Sequence, residues 1–189
     1  MQPSDAIRRE PSRAAQMTLL LVLAAETVFF GMLVMSYLYL RTGGSTMTAP
    51  RVTPADQVIA GLNTLILLVS AFLAERGSRA IQHADASGLT GSLLATLILG
   101  GIFVAGQVFE FNHSGMQIGD FAFGGVFFAL MSFHALHVLA GMTLLGLNYA
   151  RARLGDFTRE RHTAVTVGTW FWFYVTAVWL VLYAVLYWV

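Results

Sequence analysis

The chain has 189 residues, of which 57% are hydrophobic and only 11% are charged, and its formal net charge is +1. About a quarter of the residues of a soluble domain are charged, so this composition argues against a soluble domain. The absence of cysteine excludes disulfides, thiolate metal sites, iron–sulfur clusters and a cysteine nucleophile. The basic residues form no polybasic tail, and we expect no nucleic acid partner.

The apolar residues are gathered into five stretches that are nearly free of charge. A helix that crosses a membrane needs about 20 apolar residues, and only a helix satisfies its own backbone hydrogen bonds in lipid. The sequence therefore predicts an all-α integral membrane protein: a bundle of five transmembrane helices within residues 17–189, preceded by a polar lead-in over residues 1–16. The predicted spans are residues 17–40, 58–74, 89–111, 121–150 and 164–189.

The placement of the arginines predicts how the bundle is oriented. Nine of the eleven arginines lie in the N-terminal tail or in the second and fourth connections, which share one side of a five-helix bundle. Arg41 and Arg51 lie on the other side. The positive-inside rule then puts the N-terminus in the cytoplasm and the C-terminus outside. Four arginines on the cytoplasmic side are expected to meet anionic lipid headgroups: Arg76, Arg79, Arg151 and Arg153.

Ionisable residues inside a membrane span are expensive, so each needs a reason to be there. Glu26 lies in the first span, and His134 and His137 share one face of the fourth. Two readings stay open for Glu26, a proton relay and a paired acid that fixes helix packing. Two histidines without a third ligand on their helix favour hydrogen bonding over metal ligation.

Depth along the helices indicates which of these groups can meet. At about 1.5 Å per residue, Glu26, Thr176 and His137 lie roughly 16, 18 and 20 Å from the cytoplasmic end. The sequence therefore predicts that a contact between Glu26 and His137 is feasible. Glu110, one helical turn beyond Gln107 in the third span, lies too near the outer surface to join them.

The spans carry five motifs in a fixed order. They read Ala-Glu-Thr-Val-Phe-Phe-Gly at 25–31, Leu-Asn-Thr at 62–64, Gln-Val-Phe-Glu-Phe at 107–111, Phe-His-Ala-Leu-His-Val-Leu-Ala-Gly at 133–141, and Trp-Phe-Trp-Phe-Tyr-Val-Thr-Ala-Val-Trp-Leu at 170–180. In this order they resemble subunit III of the haem-copper respiratory oxidases, over residues 17 to 189. The segment with the two histidines is the most specific match.

The resemblance implies a short form of the family, because its long members have seven helices and these five would match the last five. It implies that haem and copper lie in partner subunits, and that the oxidase subunits I and II are partners. It also implies bound phospholipid, no catalytic, cofactor or metal site on this chain, and a place in a bacterial inner membrane. We predict lipid or intersubunit contacts for Glu26, Asn63, Gln107, Glu110, His134, His137, Trp172, Thr176, Arg76 and Arg79.

Two positions depart from the family pattern. Phe173 stands where the family has histidine, and Thr176 stands where it has aspartate. A threonine hydroxyl can bond to its own helix backbone, so we expect the missing charge to be replaced by a local hydrogen bond. The loss of the aspartate leaves the identity of the parent complex open.

The sequence thus predicts a non-catalytic subunit of a terminal oxidase of the cytochrome c oxidase type, in aerobic electron transport. It would stabilise the catalytic subunit, bind phospholipid and support proton uptake. Three alternatives remain: subunit III of a quinol oxidase, the similar accessory protein of a nitric oxide reductase, and a proton-coupled membrane carrier. The mostly apolar second and fifth spans argue against a carrier.

Overall fold

The computed structural model describes residues 10–42, 54–113 and 121–188. These ranges contain five helices: α1 (Glu10–Thr42), α2 (Pro54–Gln82), α3 (Ala86–His113), α4 (Phe121–Arg153) and α5 (Thr163–Tyr187). All five are long and apolar enough to cross a membrane, which confirms the predicted spans. Helix α1 starts within the predicted lead-in, whose residues 1–9 lie outside the described part, and α2 continues eight residues past the predicted end of its span. The orientation of the termini stays a prediction.

Four of the helices form a closed ring and the fifth is attached to its outside. Neighbours pack in the order α2, α3, α4, α5, and α5 packs back against α2. Helix α1 packs only against α4 and α5 within the described part of the chain. It is the least buried of the five, so its attachment to the ring depends on few contacts.

The core of the ring is formed by two tryptophans of α5 that face hydroxyl groups of α2. The indole N–H of Trp172 donates to Ser70 Oγ at 3.1 Å, and that of Trp179 donates to Thr64 Oγ1 at 2.9 Å. Both indoles are fully buried. Each hydroxyl in turn donates to a carbonyl of its own helix, so every polar atom in the chain of bonds has a partner. Interhelical hydrogen bonds in membrane proteins average about 0.6 kcal/mol, so these bonds fix how the helices face each other more than they stabilise the fold.

Amides join two other pairs of neighbouring helices. Asn63 Nδ2 donates to the carbonyl of Phe103 at 3.2 Å, which joins α2 to α3. Asn148 Nδ2 donates to the carbonyl of Ala164 at 2.9 Å, which joins α4 to α5. Both amides are buried in the ring, so their side-chain N–H groups find partners in the backbone of the neighbouring helix.

Short turns form the two connections between helices that the structure describes. Asp85 caps the start of α3, because the backbone N–H of Gly88 donates to Asp85 Oδ1 at 2.8 Å. This bond, and a second from the Ser87 hydroxyl, hold the pKa of the Asp85 carboxyl below its ordinary value. The turn after α4 places Gly155 at φ 75°, a left-handed conformation that glycine adopts without strain.

Small residues in α3 and α4 make room for Trp172. A Cβ atom on Gly141 would lie 2.8 Å from Trp172 Cε3, and one on Gly100 would lie 3.1 Å from Trp172 Cη2. Because the indole is fully buried and hydrogen-bonded, it has no free space into which to move.

We predict that Gly141→Ala lowers the thermal midpoint of the detergent-solubilised protein, because the new methyl overpacks the indole at a cost of about 1–3 kcal/mol. Gly146→Ala on the same helix is the matched control, since a Cβ there meets nothing within 4 Å. It should leave the midpoint unchanged or raise it, because alanine is the better helix former. Equal midpoints for the two variants would show that Trp172 is not fixed against Gly141.

Candidate functional site

An acid and an imidazole meet where α1 contacts α4. Glu26 Oε2 lies 3.3 Å from His137 Nε2, which confirms the contact predicted from depth. The side chains are 32% and 17% exposed, so the pair lies at the edge of the bundle rather than in the ring. It is a polar contact between the peripheral helix and the ring, inside the membrane-spanning segments.

The second ring nitrogen of His137 determines how the pair holds its proton. His137 Nδ1 lies 2.7 Å from the carbonyl oxygen of Phe133. A carbonyl only accepts hydrogen bonds, so Nδ1 must carry a hydrogen. A hydrogen bond between Nε2 and Glu26 then requires one proton, carried either by the carboxyl or by the imidazole. In both arrangements the pair is neutral overall, which suits a span where an unpaired charge costs about 2.5–3.5 kcal/mol.

Aromatic rings from α1 and α5 pack against the imidazole of the pair. Phe30 meets the His137 ring edge-on at 5.1 Å, and Phe171 of α5 lies parallel to it at 6.3 Å. Next to the pair, Phe29 packs edge-on against Phe133 at 4.8 Å. Sequence reasoning missed these packing roles, because aromatic residues occur throughout the spans and no spacing singles these out. Together the rings limit how far the imidazole can turn away from Glu26.

The two departures from the family pattern lie together on a groove between α2 and α5. Thr176 Oγ1 donates to the carbonyl of Trp172 at 2.9 Å, the local bond expected from the sequence. Phe173 and Thr176 both line this groove, whose volume is 310 Å³ and whose other walls are mostly apolar. At its arginine-bearing end lie Glu75 and Arg79, paired at 2.8 Å. Thr176 therefore shares the depth of Glu26 but not its site.

The polar residues of α2 and α3 form separate contacts. Gln107 Nε2 donates to Glu110 Oε2 at 2.9 Å, so these two predicted site residues do meet. Asn63 bonds to the backbone of α3 instead. None of these bonds involves Glu26 or His137.

The remaining predicted site residues divide into buried and exposed ones. His134 and Trp172 are buried within the ring, and their described contacts are intramolecular. Arg76 and Arg79 are exposed near the end of α2. The roles in lipid or intersubunit contact given to the predicted set stay predictions.

Metal ligation was the competing reading for the two histidines. Residues 10–42, 54–113 and 121–188 contain no group of three or more histidine, aspartate or glutamate residues that could hold a metal ion. His137 has both ring nitrogens engaged, one by Glu26 and one by a backbone carbonyl. The arrangement can hold and exchange one proton, and it can fasten α1 to α4.

Comparison with known proteins gives a consistent result over nearly the whole chain. Residues 12–189 match the family model described as cytochrome c oxidase subunit III. The chain is 33% identical over 170 residues to "Cytochrome c oxidase subunit 3" of Thermostichus vulcanus, covering 89% of this chain and 84% of that protein. It is 32% identical to "Probable cytochrome c oxidase subunit 3" of Nocardia farcinica, with coverage of 88% and 84%. The similar protein of Synechocystis is 34% identical, with coverage of 88% and 72%.

We predict that His137→Leu lowers the free energy of unfolding by roughly 1–3 kcal/mol, because it leaves the Glu26 carboxyl in a span without its partner. The double variant Glu26→Leu with His137→Leu should be destabilised less than the sum of the two single variants, since removing both partners leaves no unpaired group. Thermal or denaturant unfolding of all four proteins measures this coupling.

The matched control is the same cycle on Glu75 and Arg79, with both changed to glutamine. This pair is exposed, with 72% of the arginine side chain accessible, and such pairs contribute about 0–1 kcal/mol. A coupling between Glu26 and His137 no larger than that of the control would show that the contact does not hold α1 in place.

Proposed function

The chain belongs to the cytochrome c oxidase subunit III family and is a multi-pass membrane protein, and we propose that it is the non-catalytic third subunit of a terminal oxidase that oxidises cytochrome c. In this role it stabilises the catalytic subunit, binds phospholipid and supports proton uptake. The observation that carries the proposal is the family match over residues 12–189, which spans all five helices. The bacterial relatives support a place in the inner membrane of a bacterium.

The redox centres of the complex belong to its partners, subunits I and II, in this proposal. The chain has no cysteine with which to hold a dinuclear copper centre. The nitrogens of His137 are taken up by Glu26 and Phe133, and His134 lies on the same helix, so the two histidines cannot flank one haem as its axial ligands. The residues of this chain therefore position helices, lipid and a proton rather than a metal.

The contact between Glu26 and His137 is the group best suited to support proton uptake. Its one shared proton can move between the carboxyl and the imidazole without changing the net charge of the pair. Both side chains are partly exposed on the surface of the bundle, where a partner subunit or lipid can reach them. The same contact fastens α1, so proton handling and helix attachment depend on one pair of residues.

Phospholipid binding is supported by the arginine-bearing end of the bundle. Arg76, Arg79, Arg151 and Arg153 are exposed at that end and suit anionic headgroups. The groove between α2 and α5 runs from Arg79 along apolar walls and suits an acyl chain. With the predicted orientation, these headgroups would lie in the cytoplasmic leaflet.

The accessory protein of a nitric oxide reductase is the second candidate. Phe173 and Thr176 favour it, because both line the same groove and stand where the oxidase pattern has a histidine and an aspartate. The relatives reported above are named for cytochrome c oxidase and favour the first candidate. The reaction of the purified complex separates the two, and a quinol oxidase as well.

We predict that the tagged chain, purified from its native membrane in mild detergent, carries a haem-bearing partner. The complex should show a haem spectrum and reduce oxygen with cytochrome c as the electron donor. Oxygen reduction with quinol alone, or reduction of nitric oxide, would assign the chain to one of the alternatives. A lone, haem-free and stable carrier would overturn the oxidase assignment.

We predict that Glu26→Gln in the intact complex leaves the initial rate of oxygen reduction and the haem content unchanged. The amide cannot exchange the shared proton, so activity should decline sooner during turnover, or less lipid should be retained. Oxygen consumption followed over many turnovers, with lipid phosphorus per haem, measures both effects. Glu160→Gln, an exposed position in the connection between α4 and α5 that lines no part of the groove, is the control and should behave as the wild type.

If the complex with Glu26→Gln kept its haem content but lost all initial oxygen reduction, the result would count against an accessory role.

A further inference from the structure

Helix α1 meets a second polar group of the ring, the hydroxyl of Tyr174 on α5. Tyr174 follows Phe171 by one helical turn, so the two side chains share a face of α5, and Phe171 already packs beside the His137 ring. The Tyr174 oxygen is buried, and within the described ranges no group stands in full hydrogen-bonding geometry to it. Buried hydroxyls are nearly always paired and lipid offers no partner, so this oxygen calls for a partner within the bundle.

The side chains that act on this oxygen belong to α1. The Thr27 hydroxyl approaches it as a hydrogen-bonding group, and Glu26 acts on it through its charge. Thr27 Oγ1 donates its own hydrogen to the carbonyl of Leu23 at 2.7 Å. Because that hydrogen is engaged, Thr27 Oγ1 can only accept a further bond, and the phenol hydroxyl of Tyr174 is the donor that matches it.

Water does not compete for either oxygen. The Tyr174 oxygen has no surface open to solvent, and the exposed side of Thr27 lies within a membrane-spanning helix, where it faces lipid. An unpaired hydroxyl in such a place is costly. Closing the approach between Tyr174 and Thr27 satisfies both oxygens, so a bond between them is favoured in the membrane.

The position of Thr27 next to Glu26 gives this bond its importance. Neighbouring residues of an α-helix point about 100° apart, and α1 packs against both α4 and α5. Glu26 therefore reaches His137 on α4, while Thr27 reaches Tyr174 on α5. One contact would allow α1 to rotate about it, whereas two contacts in different directions at the same depth fix its rotation.

We propose that Tyr174 is a positioning residue of this site: its hydroxyl donates a hydrogen bond to Thr27 Oγ1, which fixes the rotation of α1 and keeps Glu26 against His137. The proposal rests on the proposed function only for the role of that pair in proton uptake. The bond lies within this chain, so it does not depend on which partner subunits the chain joins.

The first test is a double-mutant cycle on the intact complex. Tyr174→Phe removes only the donor hydroxyl, and Thr27→Val replaces the acceptor with a methyl group of similar size. Tyr174→Phe alone should lower the thermal midpoint of this chain by roughly 1–3 °C. When Thr27→Val is already present, the same change should leave the midpoint unchanged or raise it, because the phenol has then lost its partner.

Tyr183→Phe is the matched control, since it removes the same hydroxyl from the same helix. The Tyr183 oxygen faces α2, where it lies 3.3 Å from the place of a Cβ on Gly61. The effect of Tyr183→Phe should therefore be the same with and without Thr27→Val.

The second test follows Glu26 itself by infrared spectroscopy of the same complexes. The band of its carboxyl group is assigned as the one that Glu26→Gln removes. Tyr174→Phe should shift this band, because a rotated α1 changes the contact between Glu26 and His137, and Tyr183→Phe should leave it in place. A tyrosine that only fills space would not affect the band when phenylalanine replaces it.

An effect of Tyr174→Phe that is equal with and without Thr27→Val would overturn the bond, and an unmoved Glu26 band would overturn the positioning role. A density map of the complex with the Tyr174 oxygen bonded to another group would overturn both. None of these measurements follows oxygen reduction, so failure here is distinguishable from failure of the oxidase assignment.

Discussion

The fold of this protein depends on one constraint, that a polar group within the bilayer is costly unless another group of the bundle pairs with it. The two tryptophans of α5 meet this constraint through the hydroxyls of Thr64 and Ser70, which in turn bond to their own backbone. These chains of bonds fix the rotation of α5 against α2. The close approach of Gly141 to Trp172 and the bond from Asn148 to α5 then set how α4 packs beside α5.

The same constraint explains the place of the functional pair. Helix α1 lies outside the ring and packs only against α4 and α5 within the described ranges, so it has few ways to be held. Glu26 needs a partner in the membrane and finds it in His137, whose other nitrogen is held by the backbone of α4. A carboxyl that shares one proton with an imidazole satisfies the bilayer and remains able to exchange that proton. Attachment of the helix and the proposed support of proton uptake are therefore two consequences of one contact.

The sequence predicts the five helices well, because a span is defined by its length and apolarity alone. Depth along the helices was enough to pair Glu26 with His137, and the chemistry of threonine was enough to predict the local bond of Thr176. Which side of each helix points into the bundle could not be predicted. In a membrane bundle, apolar residues point both to lipid and to protein, so a helix has no single polar face that marks its outside. For this reason the burial of His134 between Phe103 and Trp179 emerged only from the packing of three helices.

The central claim is that this chain is an oxidase subunit whose peripheral helix is held to its ring by Glu26 and His137. The most direct measurement is a high-resolution structure of the complex purified through a tag on this chain. We predict a haem-copper catalytic subunit bound to the chain, with Glu26 Oε2 and His137 Nε2 still in contact near 3.3 Å. A complex that lacks a haem-copper subunit, or one in which α1 is separated from α4 and Glu26 is paired elsewhere, would contradict the account.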